Sequence, residues 1–423
     1  MKMDILKRTL MALTALSCGV SMTACGGKDD KQSSNSAAEQ SGTASMTDEE
    51  ITLTVWESVD GPDRWIKQAG EAFTKQYPNI RIEFVNVEMN DASAAIAMDG
   101  PAGTGPDLFA APHDKLGELV VGGHVLKTAN EKLVKDEALP TCVDALTYDG
   151  ILYGYPSASE TYALYYNKAL ISEEEIPETW DELIDWCKTF NAKNTDKYGF
   201  VMNVASGYYA IIFTTANGNR LFGKDGTDIS SSYLATEDSI RGMEVFQKLR
   251  TILPVAASDM GSDTADGAFL AGKAAMNISG PWNVANCKEA GLDFGVATLP
   301  GFADDQPSAS FSGTRAMFVS AYSEYPTETA KFAEFLMSEE MQELRYQITG
   351  ALPAIDCDLS GEYAEYSEGF LEQLEYAFPM PSVPQMAAFW EASDSAVSNI
   401  WNGADVKTEL DALDKTIVGY VSE

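Results

Sequence analysis

The sequence predicts an α/β protein built as two lobes, and three observations carry that expectation. The body after residue 50 is too long for one hydrophobic core, which at this size splits. Its opening alternates strand-like and helix-like patterns, the signature of a helix-covered sheet. The full chain's 45% hydrophobic content is that of a soluble globular protein and suffices for two cores.

The elements follow in order. In residues 51–55, apolar Ile51, Leu53 and Val55 alternate with Thr52 and Thr54, which predicts a strand. Trp65, Ala69, Phe73 and Tyr77 recur every four residues, the apolar face of a helix. Residues 80–84 alternate again. After a second helix, a glycine-rich turn leads into Pro106, Asp107, Leu108 and Phe109. A parallel or mixed sheet covered by helices is the consequence. Further on, Thr179 followed by Glu182 is a capping box that starts a helix at Trp180. Helical patterns run over residues 238–253, 327–347 and 387–401, and short strands over 274–278, 294–297 and 316–319. No internal repeat is present.

The N-terminus has a different logic. Basic Lys2, Lys7 and Arg8 precede an apolar stretch over residues 10–22, and Ser21 to Ala24 end in Cys25. That order is a secretory signal, too short to serve comfortably as a permanent membrane span. Cys25 after Thr23 and Ala24 resembles the lipobox of bacterial lipoproteins. The resemblance implies a signal peptide over residues 1–24 and lipidation of Cys25, with a chance cysteine in an ordinary secreted protein as the alternative. Residues 26–50 carry almost no large apolar side chain and are expected to be a disordered leash. As a flexible coil its end-to-end distance is roughly 25–30 Å. No later segment is long and apolar enough to cross a bilayer.

The formal net charge is −35. Loss of residues 1–24 removes Lys2, Lys7, Arg8 and Asp4, a net +2, and leaves −37. With no basic stripe, nucleic acid is excluded as a partner. Most of this charge serves solubility. Cys142, Cys187, Cys287 and Cys357 remain after Cys18 and Cys25 are set aside. They show neither a zinc pattern nor a dense disulfide framework, and leave open one or two bridges or four free thiols. With only His113 and His124, there is no HExxH. There is also no GxSxG elbow and no GxxxxGK[ST] loop. The glycines of residues 100–105 lead toward a strand, so they fail the context test for a dinucleotide site. No cofactor and no metal are implied. A pair of glycosidase carboxylates needs a separation that sequence cannot give.

What stands out is aromatic rings interleaved with acids and amides. Sugar C–H faces stack on flat rings, and sugar hydroxyls bond well to carboxylates. A carbohydrate ligand fits that composition.

Particular segments go further. They are Gly105, Pro106 and Asp107; His113 and Asp114; Tyr153 to Pro156 through Glu160 to Tyr166, Asn167 and Lys168; Thr179 and Trp180; residues 277–282; and residues 380–390. In this order they resemble family 1 extracellular solute-binding proteins, nearest to the maltose/maltodextrin-binding branch, over about residues 51–422. The resemblance implies the periplasmic-binding-protein-like fold, two α/β lobes joined by crossing strands with a sugar in the cleft. Lobe one is expected over residues 51–158 and about 301–349, lobe two over 159–300 and about 350–423.

By the same resemblance, Asp60, Asp114 and Glu160 bond sugar hydroxyls, Lys115 supplies a donor where maltose binders carry arginine, and Tyr208, Trp282 and Trp390 stack on or cover the rings. Ala111 stands where a stacking tryptophan is expected. Gly61 replaces a lysine, Val284 a second tryptophan, and Glu391 and Asp394 a tyrosine and an arginine. Trp65 is read two ways, as a compensating ring or as a core residue. Trp56 and Trp180 read as core, and His113 as a positioning residue. The implied protein is no enzyme. It is a monomeric, membrane-anchored, extracytoplasmic receptor, suited to a Gram-positive surface, that delivers a maltodextrin to an ABC permease. Another oligosaccharide or polyol on the same scaffold is the first alternative, a surface glycoside hydrolase the second.

Overall fold

The computed structural model describes residues 45–303 and 305–420. The segment expected to be a signal peptide, Cys25 and most of the expected leash lie outside them. Residues 45–50 are not loose. The Thr47 amide donates to the Glu328 carboxylate, and Asn79 Nδ2 donates to the carbonyls of Thr47 and Glu49. The expectation of disorder through residue 50 is corrected there, because these backbone groups find partners on the folded body.

The first sheet begins with β1 (Ile51–Glu57), β2 (Ile80–Asn86) and β3 (Leu108–Pro112). Both β2 and β3 run parallel to β1. The helix Pro62–Gln76 crosses from β1 to β2, with proline at its first position, and buries Trp65, Ile66, Ala69 and Phe73. A small hairpin, β4 (Thr147–Tyr148) and β5 (Ile151–Leu152), precedes β6 (Tyr155–Glu160). The second sheet holds β7 (Ala163–Asn167), β8 (Tyr198–Val201), β9 (Ala274–Ser279) and β10 (Phe294–Ala297), in the order β10-β7-β9-β8. Then β11 (Phe311–Val319) returns to the first sheet, antiparallel to both β3 and β6, and β12 (Phe378–Pro379) pairs with its start. Both sheets are mixed.

Two separate hydrophobic cores result, one around each sheet. Trp56 lies in the first and Trp180 in the second, as expected of core residues. The chain passes between the cores at three places. At β6, Tyr155 packs in the first core and Tyr162 just beyond in the second. At β11, Phe311 is in the second core and Ala316 in the first. In the helix Glu339–Thr349, Met341 is in the first and Tyr346 in the second. The return expected near residue 301 therefore falls between Phe311 and Ala316, and the exit expected near 349 falls between Met341 and Tyr346.

The capping box forms as predicted: Thr179 Oγ1 accepts the Glu182 amide, and the Glu182 carboxylate accepts the Thr179 amide. The single helix expected over 327–347 is instead two, Pro326–Leu336 and Glu339–Thr349. Ser338 separates them in an extended conformation. The four described cysteines are unpaired, with Cys142, Cys187 and Cys287 buried. Among the described residues no helix is long and apolar enough to cross a membrane.

Candidate functional site

Four of the predicted residues meet between the cores. Asp114 sits in a turn of 3-10 helix, His113–Lys115, directly after β3. The Trp390 indole N–H donates to its carboxylate at 2.9 Å. Trp390 belongs to the helix Met386–Trp401 and packs on Phe389 and Phe311 of the second core. This bond therefore ties one lobe to the other. The Tyr208 ring lies 6.4 Å from that of Trp390. Burial, first, holds the Tyr208 hydroxyl far above the usual phenol range, and Tyr162, Tyr209, Glu160 and Asp114 add to the effect. Glu160 ends β6 opposite Gly313 of β11, two residues from Phe311, whose ring centre lies 6.0 Å from that of Tyr208, so the carboxylate belongs to the same neighbourhood.

Local chemistry fixes these side chains. His113 Nδ1 accepts the Thr314 amide at 3.1 Å, and Nε2 faces the Met380 carbonyl at 3.0 Å. An amide donor at one ring nitrogen and a carbonyl at the other require a neutral ring protonated on Nε2. Burial favours the same form by lowering the His113 pKa. His113 thus pins the Asp114 turn to β11 and to the segment that leads to Trp390. Tyr208 sits in the short helix Gly207–Ala210, whose first amide donates to Asp394 at 2.7 Å. Asp394, at the position where the resemblance implies an arginine, thus anchors a ring-bearing turn.

Trp282 is 39% exposed in the turn Pro281–Asn283, just past the end of β9. A Cβ on Gly280 would lie 2.1 Å from its ring, so glycine is required for the ring to fold over the backbone here. Asp60 is exposed, beyond the end of β1, with φ 60°. Next to it, Gly61 has φ 128°, and an added Cβ would lie 3.1 Å from Thr349 Cγ2. A lysine at 61 is incompatible with that backbone. Lys115 is half-buried in the Asp114 turn. Val284 is buried, and so is Ala111 within β3, so no ring is offered at either place.

Trp65 departs from its site reading. It is fully buried, its indole N–H donates to the Met341 carbonyl at 2.8 Å, and the Arg345 guanidinium lies 5.6 Å from its ring centre. A ring sealed on both sides packs the core and offers no face to a ligand.

Beneath these residues lies a charge cluster that the motif reading missed. Arg315 of β11 donates through Nε and Nη2 to both carboxylate oxygens of Glu57, which is fully buried at the end of β1. Arg345 Nη2 lies 3.9 Å from Glu160 Oε1. Burial, with Arg315 nearby, pushes the Arg345 pKa down to about 10 against the pull of Glu160 and Glu57. The available sequence signal was an arginine in each of two apolar-rich segments of an acid-rich chain. Among the described residues no cluster of His, Cys, Asp or Glu could hold a metal ion.

A family model for bacterial extracellular solute-binding proteins matches residues 68–369. The chain belongs to that family. This solute-binding protein is 31% identical to a galactooligosaccharide-binding protein of Bacillus subtilis, over 99% of its own length and 98% of the relative's. It is 28% identical to the maltodextrin-binding protein of the same organism, over 95% and 94% of the two lengths. Its fold matches the crystal structure of a cyclo/maltodextrin-binding protein complexed with maltotetraose. The TM-score is 0.75 and the identity 32%, over 88% of this chain and 98% of that one. The two-lobed α/β architecture is that of these structures.

Proposed function

We propose that this solute-binding protein captures a maltodextrin-type oligosaccharide between its lobes and presents it to the membrane subunits of an ABC importer. The observation that carries the reading is the meeting of Asp114, Glu160, Tyr208 and Trp390 where the lobes face each other. Carboxylates there accept from sugar hydroxyls, and the rings take the sugar's C–H faces. Asp60 and Lys115 extend the site on the first lobe, and Trp282 on the second. A ligand that touches both lobes has more contacts in the closed state and shifts the population toward it. The protein binds without chemistry and acts as a monomer. A relative named for maltodextrin binding, and a structural neighbour solved in complex with maltotetraose, support this ligand class.

Titration calorimetry with maltotriose and maltotetraose tests it. A saturable heat is expected, and silence at millimolar sugar in both heat and fluorescence sinks the maltodextrin reading. A galactooligosaccharide is the second reading. It is favoured by the relative of that name and by Ala111, which leaves the first lobe without a stacking ring at that place. Parallel titrations rank the two sugars.

The protein is held at the outer face of the cell membrane by a lipid on Cys25. A Cys25→Ala variant should bind sugar normally and appear in the culture medium. Retention of that variant in the membrane fraction removes the lipid from the account.

A further inference from the structure

Each of the three passages between lobes carries one charged side chain to the same buried place. Glu160 ends β6, Arg315 lies in β11, and Arg345 lies in the third passage, the helix Glu339–Thr349. Their environments are mutually coupled, since Arg345 feels Arg315, Glu160 and Glu57. The two arginines differ in how they are satisfied. Arg315 has a two-pronged pair with Glu57 and a further bond to Ser58 Oγ at 3.1 Å. Arg345 has only Glu160, at 3.9 Å, a distance for charge attraction and too long for a hydrogen bond. Its Nε and Nη1 are buried with no acceptor among the described residues.

Burial of an arginine in this way is strongly unfavourable unless its charge is used. Packing alone does not need the charge, and an apolar side chain of similar volume would serve. The Trp65 ring beneath the guanidinium fixes where the fork lies. Its partner is asymmetric: the Glu160 side chain keeps 12% exposure against 3% for Arg345. One side of that carboxylate therefore faces the arginine while part of it stays open.

We propose that Arg345 is a positioning residue for Glu160. It holds the carboxylate at the floor of the cleft with lone pairs free for ligand hydroxyls, and it links an occupied Glu160 to the third passage between the lobes. This rests on the reading of Glu160 as a ligand contact.

The test is a double-mutant cycle of Glu160→Gln and Arg345→Met in the purified protein, with Arg345→Lys as a variant that keeps charge without the fork. Maltotriose affinity is read by calorimetry and stability without sugar by denaturant unfolding. Arg345→Met should weaken binding about tenfold or more. Arg345→Lys should recover part of the loss. In the Glu160→Gln background, Arg345→Met should change affinity little. An unchanged affinity in Arg345→Met, or a loss equally large in both backgrounds, overturns the proposal. A merely structural arginine would shift the unfolding midpoint and leave the affinity of the folded protein alone. Should the wild type take up no maltotriose, the proposed function fails by itself. The unfolding cycle then decides the pair, and zero coupling between residues 160 and 345 overturns it.

Discussion

Trp390→Phe isolates the bond that joins the lobes. Phenylalanine keeps an aromatic ring against Phe311 and Tyr208 but lacks the N–H that reaches Asp114 at 2.9 Å. A hydrogen bond to a charged group contributes about 1.5–3 kcal/mol. Asp114 stands on the first lobe and Trp390 on the second, so the bond exists only when the lobes are together. Its loss weakens the closed state and leaves the open state unchanged. Ligand binding, which draws on closure, then weakens by about 10- to 150-fold. A sugar hydroxyl that takes over the freed lone pair brings the loss toward the lower end. The assay is calorimetric titration with maltotriose of wild type, Trp390→Phe, Asp114→Asn and the double variant. In the Asp114→Asn background the phenylalanine should cost much less, because the charge that strengthens the bond is gone. An affinity within twofold of wild type refutes the reasoning, as does an undiminished loss in the double variant.

Gly280→Ala should push the Trp282 ring aside, since the new methyl would lie 2.1 Å from it. Because the ring is 39% exposed it has room to move, so sugar affinity should fall about tenfold while the thermal midpoint changes little. Asp266→Asn should stabilise the protein at neutral pH. Burial holds the Asp266 carboxyl at about 6 against an ordinary 3.8, so the folded state prefers it protonated. That preference stabilises fully below pH 3.8 and is lost as pH rises through about 6. The variant should gain at most about 3 kcal/mol at pH 7, at 1.36 kcal/mol per pH unit, and nothing below pH 3.8. Denaturant midpoints at the two pH values check this. His113 has the opposite sign. Its folded pKa is held below 6.5, so its contribution is whole above pH 6.5 and is lost as pH falls from there toward the folded value. Thermal melts from pH 8 to 5 should drop below pH 6.5, and less steeply in His113→Gln.

The sequence was most legible where one pattern had one cause. The strand at residue 51, the helix face from Trp65 to Tyr77 and the capping box at Thr179 are local signals, and the structure has all three. It was least legible where neighbours distant in the chain decide. The first half of β11 reads as Phe311, Ser312, Gly313, Thr314 and Arg315, which has no strand alternation. It is a strand because β6 and β12 flank it. Ser338 interrupts a continuous helical pattern: the helix before it packs on the first core through Phe332, Ala333 and Leu336, while the helix after it runs on from Met341 in the first core to Tyr346 in the second. At the site, acids and rings were nameable from their motifs. Trp65 was not decidable, since its spacing suits a core face as well as a site, and Arg345 matters through a partner 185 positions away.

The strand order of the first lobe has a consequence for the life of the chain before it is a receptor. β11 lies directly beside β3, about two hundred residues downstream of it. The first sheet therefore lacks an interior strand until most of the polypeptide has been made. Such long-range pairing closes slowly, because a large loop must be ordered before its contacts form. A nascent chain with this topology stays unfinished during synthesis, which suits export as an extended thread. Its first sheet is completed only once residues 311–319 have joined β3 and β6.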